Sequence, residues 1–160
     1  MEEIMTYQFY DFVNPGNPIA RVIRSEGDKK EYNLLKPNGT FVSEEWFTFV
    51  GKFFKGLAMV QRTDGLWNFI KVDGKFLTVE WFKSACDFSE DFALVQREND
   101  LWNYLNPDGT FLSDEWFKEI EDFLCGYVDG VFCGFAKVQA QDGKYYEIDL
   151  NGNLTEHWNN

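Results

Sequence analysis

The residues best suited to metal chemistry lie in the stretch DLNGNLTEHW at 149–158. Asp149, Asn151 and Asn153 place side-chain oxygens at alternating positions, as the first ligands of an EF-hand calcium loop do. That loop also needs glycine at its sixth position and a bidentate glutamate at its twelfth, whereas Gly152 is fourth here. The spacing therefore favours a turn, and we expect no metal site and no cofactor.

Nucleophilic catalysis would need a base beside a serine or cysteine. The single histidine, His157, lies three residues from the end of the sequence, where it is poorly placed to activate a nucleophile. Cys125 and Cys133 are eight residues apart with no second pair nearby, which disfavours a zinc site. No phosphate-binding or nucleophile-elbow motif occurs. We expect no catalytic residue and no enzymatic activity.

Carboxylates among aromatic side chains would suit a carbohydrate-binding or glycoside-acting protein, which we keep as an alternative. The segment DEWFKEIED at 114–122 is rich in both. A glycosidase needs two carboxylates of opposed protonation, and nothing in the sequence singles out such a pair. The discriminating observation is whether Tyr10, Tyr127 and Phe132 are exposed beside paired carboxylates.

The net charge of −12 gives the surface a negative potential that repels a phosphate backbone, so we expect no direct nucleic-acid binding. The same charge allows a second alternative, an inhibitor that mimics nucleic acid and binds a basic protein. No run of 18 apolar residues occurs, and we expect no membrane interaction. Three cysteines without a disulfide pattern indicate a reducing compartment and a cytoplasmic location.

A repeat of 35 residues organises the chain. EYNLLKPNGTFVSEEWF at 31–47 recurs as LWNFIKVDGKFLTVEWF at 66–82 and as LWNYLNPDGTFLSDEWF at 101–117. A worn copy, KYYEIDLNGNLTEHW at 144–158, is displaced by 43 residues, so about eight residues are inserted before it. A period of this length is typical of tandem structural units that stack to share a core.

Each unit contains an Asn-Gly or Asp-Gly pair between apolar runs. This pair predicts a β-hairpin with a type I′ turn, in which both central residues have positive φ. Each unit is predicted to be a three-stranded meander. Its strands are the run that precedes the repeated block, the apolar run before the turn and the TFLS-like run after the turn. The four pairs are Asn38-Gly39, Asp73-Gly74, Asp108-Gly109 and Asn151-Gly152.

A short helix is predicted after each meander. Ser43, Thr78 and Ser113 precede acidic residues and then Trp-Phe, as a helix N-cap precedes a first turn with acids at the positive end of the dipole. Under this interpretation the carboxylates of 114–122 lie on a solvated helix face. The recurring aromatic columns, including Trp46, Trp81 and Trp116 and the phenylalanines that follow them, are expected to form the core.

We therefore expect a single mainly β domain over 1–160, with short helices in four tandem units of about 35 residues. The favoured arrangement is an open β-solenoid-like stack, and the alternative is a closed barrel or propeller-like arrangement. The segments are an N-terminal cap at 1–19, units at about 20–52, 53–86, 87–121 and 131–160, and an insertion at about 123–131.

DFSEDFALVQ followed by LWNYLNPDGTFL resembles the WG-containing repeats of bacterial and phage proteins, in which an Ala-x-Val strand, a Trp-Gly-Tyr-Ile strand and an Asp-x-x-Gly turn recur. The resemblance covers residues from about 20 to 154. Trp67-Asn68 and Trp102-Asn103 stand where the family has Trp-Gly. The resemblance implies a β-rich repeat module used for binding or scaffolding, and it supplies no catalytic residue.

The leading function hypothesis is a non-catalytic module that binds a protein partner, expected to be basic, through an acidic surface for scaffolding or inhibition. Positions inside the repeat are best explained by the shared core, so the insertion and the acids before it are the better candidates for contact. We take Glu119, Asp122, Tyr127 and Asp129 as the candidate binding residues. The sequence leaves the oligomeric state open.

Overall fold

The computed structural model describes residues 7–13, 16, 18–89, 91–128 and 131–156, with the backbone alone at 124–128 and 131–133. The chain divides into two compact units, Met1–Phe82 and Lys83–Asn160. Within the described residues the strands form four antiparallel sheets, two in each unit, so the chain is mainly β as expected. These residues include no helix long and apolar enough to cross a membrane. The expectation of a single domain stays a prediction.

The first unit contains two three-stranded sheets. One consists of β1 (Tyr7–Phe12), β2 (Ala20–Glu26) and β3 (Lys29–Leu35), and the other of β4 (Phe49–Val50), β5 (Leu57–Gln61) and β6 (Trp67–Lys71). Strands that follow one another in the chain pair antiparallel in both sheets. Strand β1 falls within the segment predicted as an N-terminal cap and extends the first sheet by pairing with β2.

The second unit contains one three-stranded and one five-stranded sheet. The former consists of β7 (Ser84–Ala85), β8 (Ala93–Gln96) and β9 (Trp102–Leu105). The latter consists of β10 (Glu119–Ile120), β11 (Leu124–Val128), β12 (Val131–Gln139), β13 (Tyr145–Asp149) and β14 (Leu154–Glu156). Strands β10 and β11 pair with different parts of β12, so they follow one another along one edge of the sheet.

The predicted hairpins at the Asn-Gly and Asp-Gly pairs are present, but their turn type is not I′. At Asp73-Gly74 only the glycine has positive φ, 88°. Gly74 N–H donates to the Lys71 carbonyl, and Lys71 N–H donates to the Lys75 carbonyl. This is a type I turn followed by a glycine bulge. The Asp73 carboxylate accepts from Lys75 N–H, which explains the aspartate or asparagine before the glycine in the first three repeats, whereas in the fourth Asp149 accepts from Asn153 N–H.

The prediction of a short helix after each meander is wrong. Ser113 Oγ does accept a hydrogen bond from Glu115 N–H at 3.1 Å, as a helix cap would, but it forms an isolated turn. Phe117 then exchanges both of its backbone hydrogen bonds with Trp102. The chain returns to the sheet edge because pairing with Trp102 satisfies both the backbone N–H and the backbone carbonyl of Phe117. The carboxylates of 114–122 therefore lie on a turn, on β10 and on the residues directly after β10 rather than on a helix face.

The predicted third strand of each meander is only partly present. In the second repeat it is reduced to bridges from Ile70 to Phe76 and from Trp67 to Phe82, whereas the fourth repeat has the regular strand β14. Each of the last three sheets instead begins with a short strand, β4, β7 or β10, which the sequence analysis placed at the end of the preceding repeat. Four separate sheets do not support an open β-solenoid-like stack. The closed alternative stays a prediction.

The inserted residues extend one hairpin of the last repeat. The bridge from Phe54 to Leu57 encloses a two-residue turn, and the equivalent pair, Leu124 and Phe135, encloses ten residues. Between them, four further pairs extend the ladder of β11 and β12 up to Val128 opposite Val131. The insertion predicted at about 123–131 is therefore the outer part of this hairpin, within 125–134.

The core of each unit contains the predicted Phe column. Phe47, Phe82 and Phe117 are fully buried, and Phe47 and Phe117 belong to separate hydrophobic clusters in the first and second units. The Trp column is less deeply placed than expected, since Trp46 and Trp81 are only half-buried. Phenylalanine fits the interior because it has no polar atom to satisfy, whereas the tryptophans meet arginine at the surface.

Two glycines allow adjacent repeats to approach closely. A Cβ on Gly74 would lie 2.2 Å from the carbonyl oxygen of Val42 in the preceding repeat. A Cβ on Gly152 would lie equally close to the carbonyl oxygen of Leu112. The turn glycine thus has two functions, because it supplies the positive φ and leaves room for the neighbouring backbone.

Candidate functional site

A buried asparagine column shapes the turns that lead toward the candidate site. Asn103 is fully buried, and its Nδ2 donates to the carbonyls of Ser113 and Glu115 at 2.8 and 3.2 Å. Its Oδ1 accepts from Tyr104 N–H at 2.8 Å. Asn33 and Asn68 repeat this arrangement in the first unit. Asn103 is therefore a structural anchor for the turn before β10.

Tyr104 and Phe123 hold the chain between β10 and β11. The Tyr104 hydroxyl donates to the Glu121 carbonyl, and the ring of Phe123 packs against the rings of Tyr104 and Phe92. Burial, followed by the nearby negative charge of Asp122, raises the pKa of Tyr104 well above its usual value. The phenol therefore stays protonated and keeps Glu121 in place.

A cleft of about 580 Å³ lies in the second unit. Its lining residues come from β9, from β10 and the residues next to it, and from β12 and β13. They are Trp102, Lys118, Glu119, Ile120, Glu121, Lys137, Val138, Gln139 and Tyr145. The cleft combines aromatic rings with charged side chains of both signs.

The two carboxylates that line the cleft lie on one face of the sheet. Glu119 is opposite Gln139 in the ladder, and Glu121 N–H donates to the Lys137 carbonyl, so these four residues alternate regularly and share one face. Glu147, opposite Lys137 on β13, lies on this face too. Two lysines, Lys118 and Lys137, also line the cleft, and the ammonium group of Lys137 lies 4.9 Å from the ring centroid of Tyr145.

Two of the four predicted binding residues lie at or near this cleft. Glu119 lines it, and Asp122 is exposed a few residues further on, although it is not among the lining residues. Tyr127 pairs with Phe132 through its backbone, and its side chain is outside the described part of the structure. Asp129 also lies outside the described residues. The structure thus places Glu119 and Asp122 on one segment and leaves the other two as predictions.

Residues that the sequence analysis missed include Trp102, Glu121, Lys137 and Tyr145. Trp102 and Tyr145 belong to another recurring aromatic column, with Tyr32 and Trp67, which the repeat predicts to be core, but both are half-buried and border the cleft. The available signal was the repeat itself, because position 119 is Glu where position 49 is Phe. In the first unit Phe49 packs against Trp67 at 5.5 Å, and the glutamate provides no such ring beside Tyr145.

Tyr10 tests the carbohydrate alternative. It is 56% exposed, and the guanidinium of Arg21 lies 4.6 Å from its ring centroid. Arg21 also forms a two-pronged ion pair with Asp11, at 2.9 and 2.7 Å. The carboxylate beside Tyr10 is thus engaged by an arginine rather than paired with a second acid. The side chains of Tyr127 and Phe132 fall outside the described residues. In the part of the chain that the structure describes, no group of three or more His, Cys, Asp or Glu side chains could hold a metal ion.

No family model matches the chain, and no curated protein sequence matches it. Among solved structures, BamB from Moraxella catarrhalis is similar with a TM-score of 0.39 and 9% identity, over 96% of this chain and 53% of BamB. HIRA(644-1017) has a TM-score of 0.35 and 9% identity, over 95% of this chain and 50% of that chain. The WD40 β-propeller domain of Doa1 has a TM-score of 0.34 and 13% identity, over 96% and 72%. The chain spans about half the length of the first two, and scores this low carry no argument about function.

Proposed function

We propose that this protein is a non-catalytic repeat module of the WG type that binds a basic protein partner through the acidic surface beside the cleft. The observation that carries the proposal is the set of exposed carboxylates of Glu119, Glu121 and Asp122. None of the three forms an ion pair with another residue that the structure describes. These carboxylates remain available to cationic groups of a partner.

The charge of the whole chain supports the same partner class. A net charge of −12 attracts basic surfaces and accelerates their encounter, while it repels nucleic acid and anionic surfaces. Many basic residues of the first unit are already engaged, for example Arg21 with Asp11 and Arg62 with Asp64. The excess acids are therefore the side chains with unused capacity for ionic contact.

The extended hairpin of β11 and β12 is the proposed source of selectivity. It is longer than the equivalent hairpin at Phe54 and Leu57, and it begins two residues after Asp122. Acidic residues alone give attraction with little discrimination, whereas a distinct backbone element offers a shape that few partners match. A cytoplasmic location, in which the cysteines stay reduced, is part of this proposal.

An affinity pull-down from the native host, washed at increasing salt, tests the proposal. A triple variant with Glu119→Gln, Glu121→Gln and Asp122→Asn should lose the captured partner at lower salt than wild type. A control with the same charge change, Asp28→Asn, Glu44→Gln and Glu98→Gln, should keep it, because these exposed acids are not among the residues that line the cleft. Capture that is indifferent to both salt and the triple variant would contradict the proposal. Competition by DNA or RNA would favour the nucleic-acid-mimicking inhibitor.

A further inference from the structure

Tryptophan and arginine meet repeatedly in this protein. The guanidinium carbons of Arg24, Arg62 and Arg97 lie 4.4, 4.0 and 3.7 Å from the ring centroids of Trp46, Trp81 and Trp116, respectively. Planar guanidinium groups stack on indole rings because the ring face is negative and the cation is weakly hydrated. Each of these tryptophans is thus covered by a cation of the same chain.

Two of these arginines also contact carboxylates. Arg24 Nε donates to Glu31 at 2.7 Å, and Arg62 Nη2 donates to Asp64 at 2.8 Å. The fixed fork of the guanidinium can stack on a ring through its face and bond to a carboxylate through its edge. A ring, a guanidinium and a carboxylate therefore form a recurring three-part contact in this chain.

Trp102 has the ring and the carboxylates but lacks the guanidinium. Of the five tryptophans whose structure is described, it alone has no arginine and no second aromatic ring against it among the described residues. It lines the cleft together with Glu119 and Glu121. The other cation on that face, Lys137, lies against Tyr145 instead.

We propose that this cleft binds an arginine side chain of the protein partner, with the guanidinium stacked on Trp102 and its N–H groups donating to Glu119 and Glu121. The inference rests on the proposed function and adds a specific contact to it. Arginine suits the cleft better than lysine because a compact, strongly hydrated ammonium cannot stack and pair at the same time. Lys118, which also lines the cleft, disfavours a ligand with several adjacent positive charges.

The residue that neighbours Trp102 in its own sheet supports this assignment. Phe49 and Trp67 lie on either side of Gln61 in the first unit, and their rings pack at 5.5 Å. The equivalent residues on either side of Gln96 are Ser84 and Trp102, so a serine stands where the first unit has the phenylalanine. Trp102 therefore lacks the aromatic neighbour that Trp67 has, and Glu119 adds a negative charge to the cleft that Trp102 lines.

The experiment is a titration of the whole protein, followed through the indole N–H signals of its six tryptophans by NMR. The probe is a blocked Gly-Gly-Arg-Gly-Gly peptide, and the matched probes contain lysine or neutral citrulline in place of arginine. Trp102→Phe identifies the Trp102 signal and keeps a ring in place. The arginine peptide should shift that signal selectively, the lysine peptide should bind at least about threefold more weakly, and citrulline should have no effect.

Two variants at one position separate charge from shape. Glu119→Gln should weaken the arginine peptide about threefold or more, and Glu119→Phe should abolish the selective shift by filling the cleft. Asp114→Asn removes the same charge from an exposed turn and should change binding far less.

The outcomes distinguish this inference from the proposed function. The arginine site is overturned if basic peptides bind in a salt-sensitive way but do not shift the Trp102 signal selectively. It is also overturned if Glu119→Gln and Asp114→Asn weaken binding equally. Either result leaves the acidic surface of the proposed function intact. If no basic peptide binds even at low salt, both proposals fail. A Trp102 shift caused by neutral oligosaccharides alone would assign the cleft to carbohydrate.

Discussion

The side-chain amide of Asn103 lies 2.8 Å from the carbonyl oxygen of Ser113, ten residues further along the chain, and both residues are buried. This contact fixes the turn that returns the chain to Trp102 and then starts β10. The same amide bonds to Tyr104 N–H, so one side chain satisfies both a donor and acceptors that would otherwise be buried without partners.

The first prediction concerns this asparagine. Asn103→Ala should reduce the free energy of unfolding by about 2 kcal/mol, because it leaves buried backbone groups unsatisfied. Urea unfolding measures the change. Asn106→Ala is the control, since Asn106 is less buried and bonds to the Thr110 hydroxyl near the surface, and it should cost less than about 0.5 kcal/mol. Equal losses in the two variants would show that burial of the asparagine is not what stabilises the turn.

The second prediction separates the two functions of the turn glycine. Gly39 and Gly74 have φ of 86° and 88°, but a Cβ on Gly39 would meet nothing within 4 Å, whereas one on Gly74 would meet the Val42 carbonyl. Gly39→Ala should cost about 1 kcal/mol through backbone strain alone. Gly74→Ala should cost about 3 kcal/mol, because the neighbouring repeat must also move. Thermal and urea unfolding check the difference, and similar costs would mean that the repeats do not depend on this close approach.

The sequence was informative where local chemistry decides the structure and less so where distant residues meet. Asp73-Gly74 predicted its hairpin because the turn is built from its own backbone. Ser113 followed by acidic residues also has a local meaning, but its pairing partner, Trp102, overrode the helical signal. The cleft could not be predicted since Trp102, Glu119 and Tyr145 are far apart in the chain. The asparagine column could have been found, because a polar residue that recurs with the period inside an apolar strand needs a buried partner.

The third prediction concerns the pH dependence of stability. Burial works to raise the pKa of Glu31, but hydrogen bonds and charges from Lys29 and Arg24 outweigh it, so this pKa lies below its usual value. A lowered pKa means that Glu31 stabilises the fold above about pH 4.3, the value in an unfolded chain. This stability is lost as the pH falls through the folded-state pKa.

Glu31→Gln should therefore be less stable than wild type at pH 7, and the difference should shrink as the pH falls toward 3. Urea unfolding at a series of pH values measures it. A difference between the two proteins that is constant from pH 7 to pH 3 would show that the contacts with Arg24 and Lys29 do not depend on the charge of Glu31.

The last prediction concerns the extended hairpin. In the second repeat, Lys55 and Gly56 form a tight turn between Phe54 and Leu57, and Lys55 and Gly56 both have positive φ. Deleting residues 126–133 and substituting Cys125→Asn joins Leu124 to Phe135 through an Asn-Gly turn of the same length, with Gly134 supplying the glycine. Asn-Gly suits such a turn, and shortening a connection changes the closure entropy only slightly. We expect a change in unfolding free energy below about 1 kcal/mol and the loss of partner capture in the pull-down.

Tyr127→Ser and Asp129→Asn, which keep the hairpin, should weaken capture without removing it. A shortened chain that unfolds without cooperativity would mean that the hairpin stabilises the second unit, and one that still captures the partner fully would remove the hairpin from the binding surface.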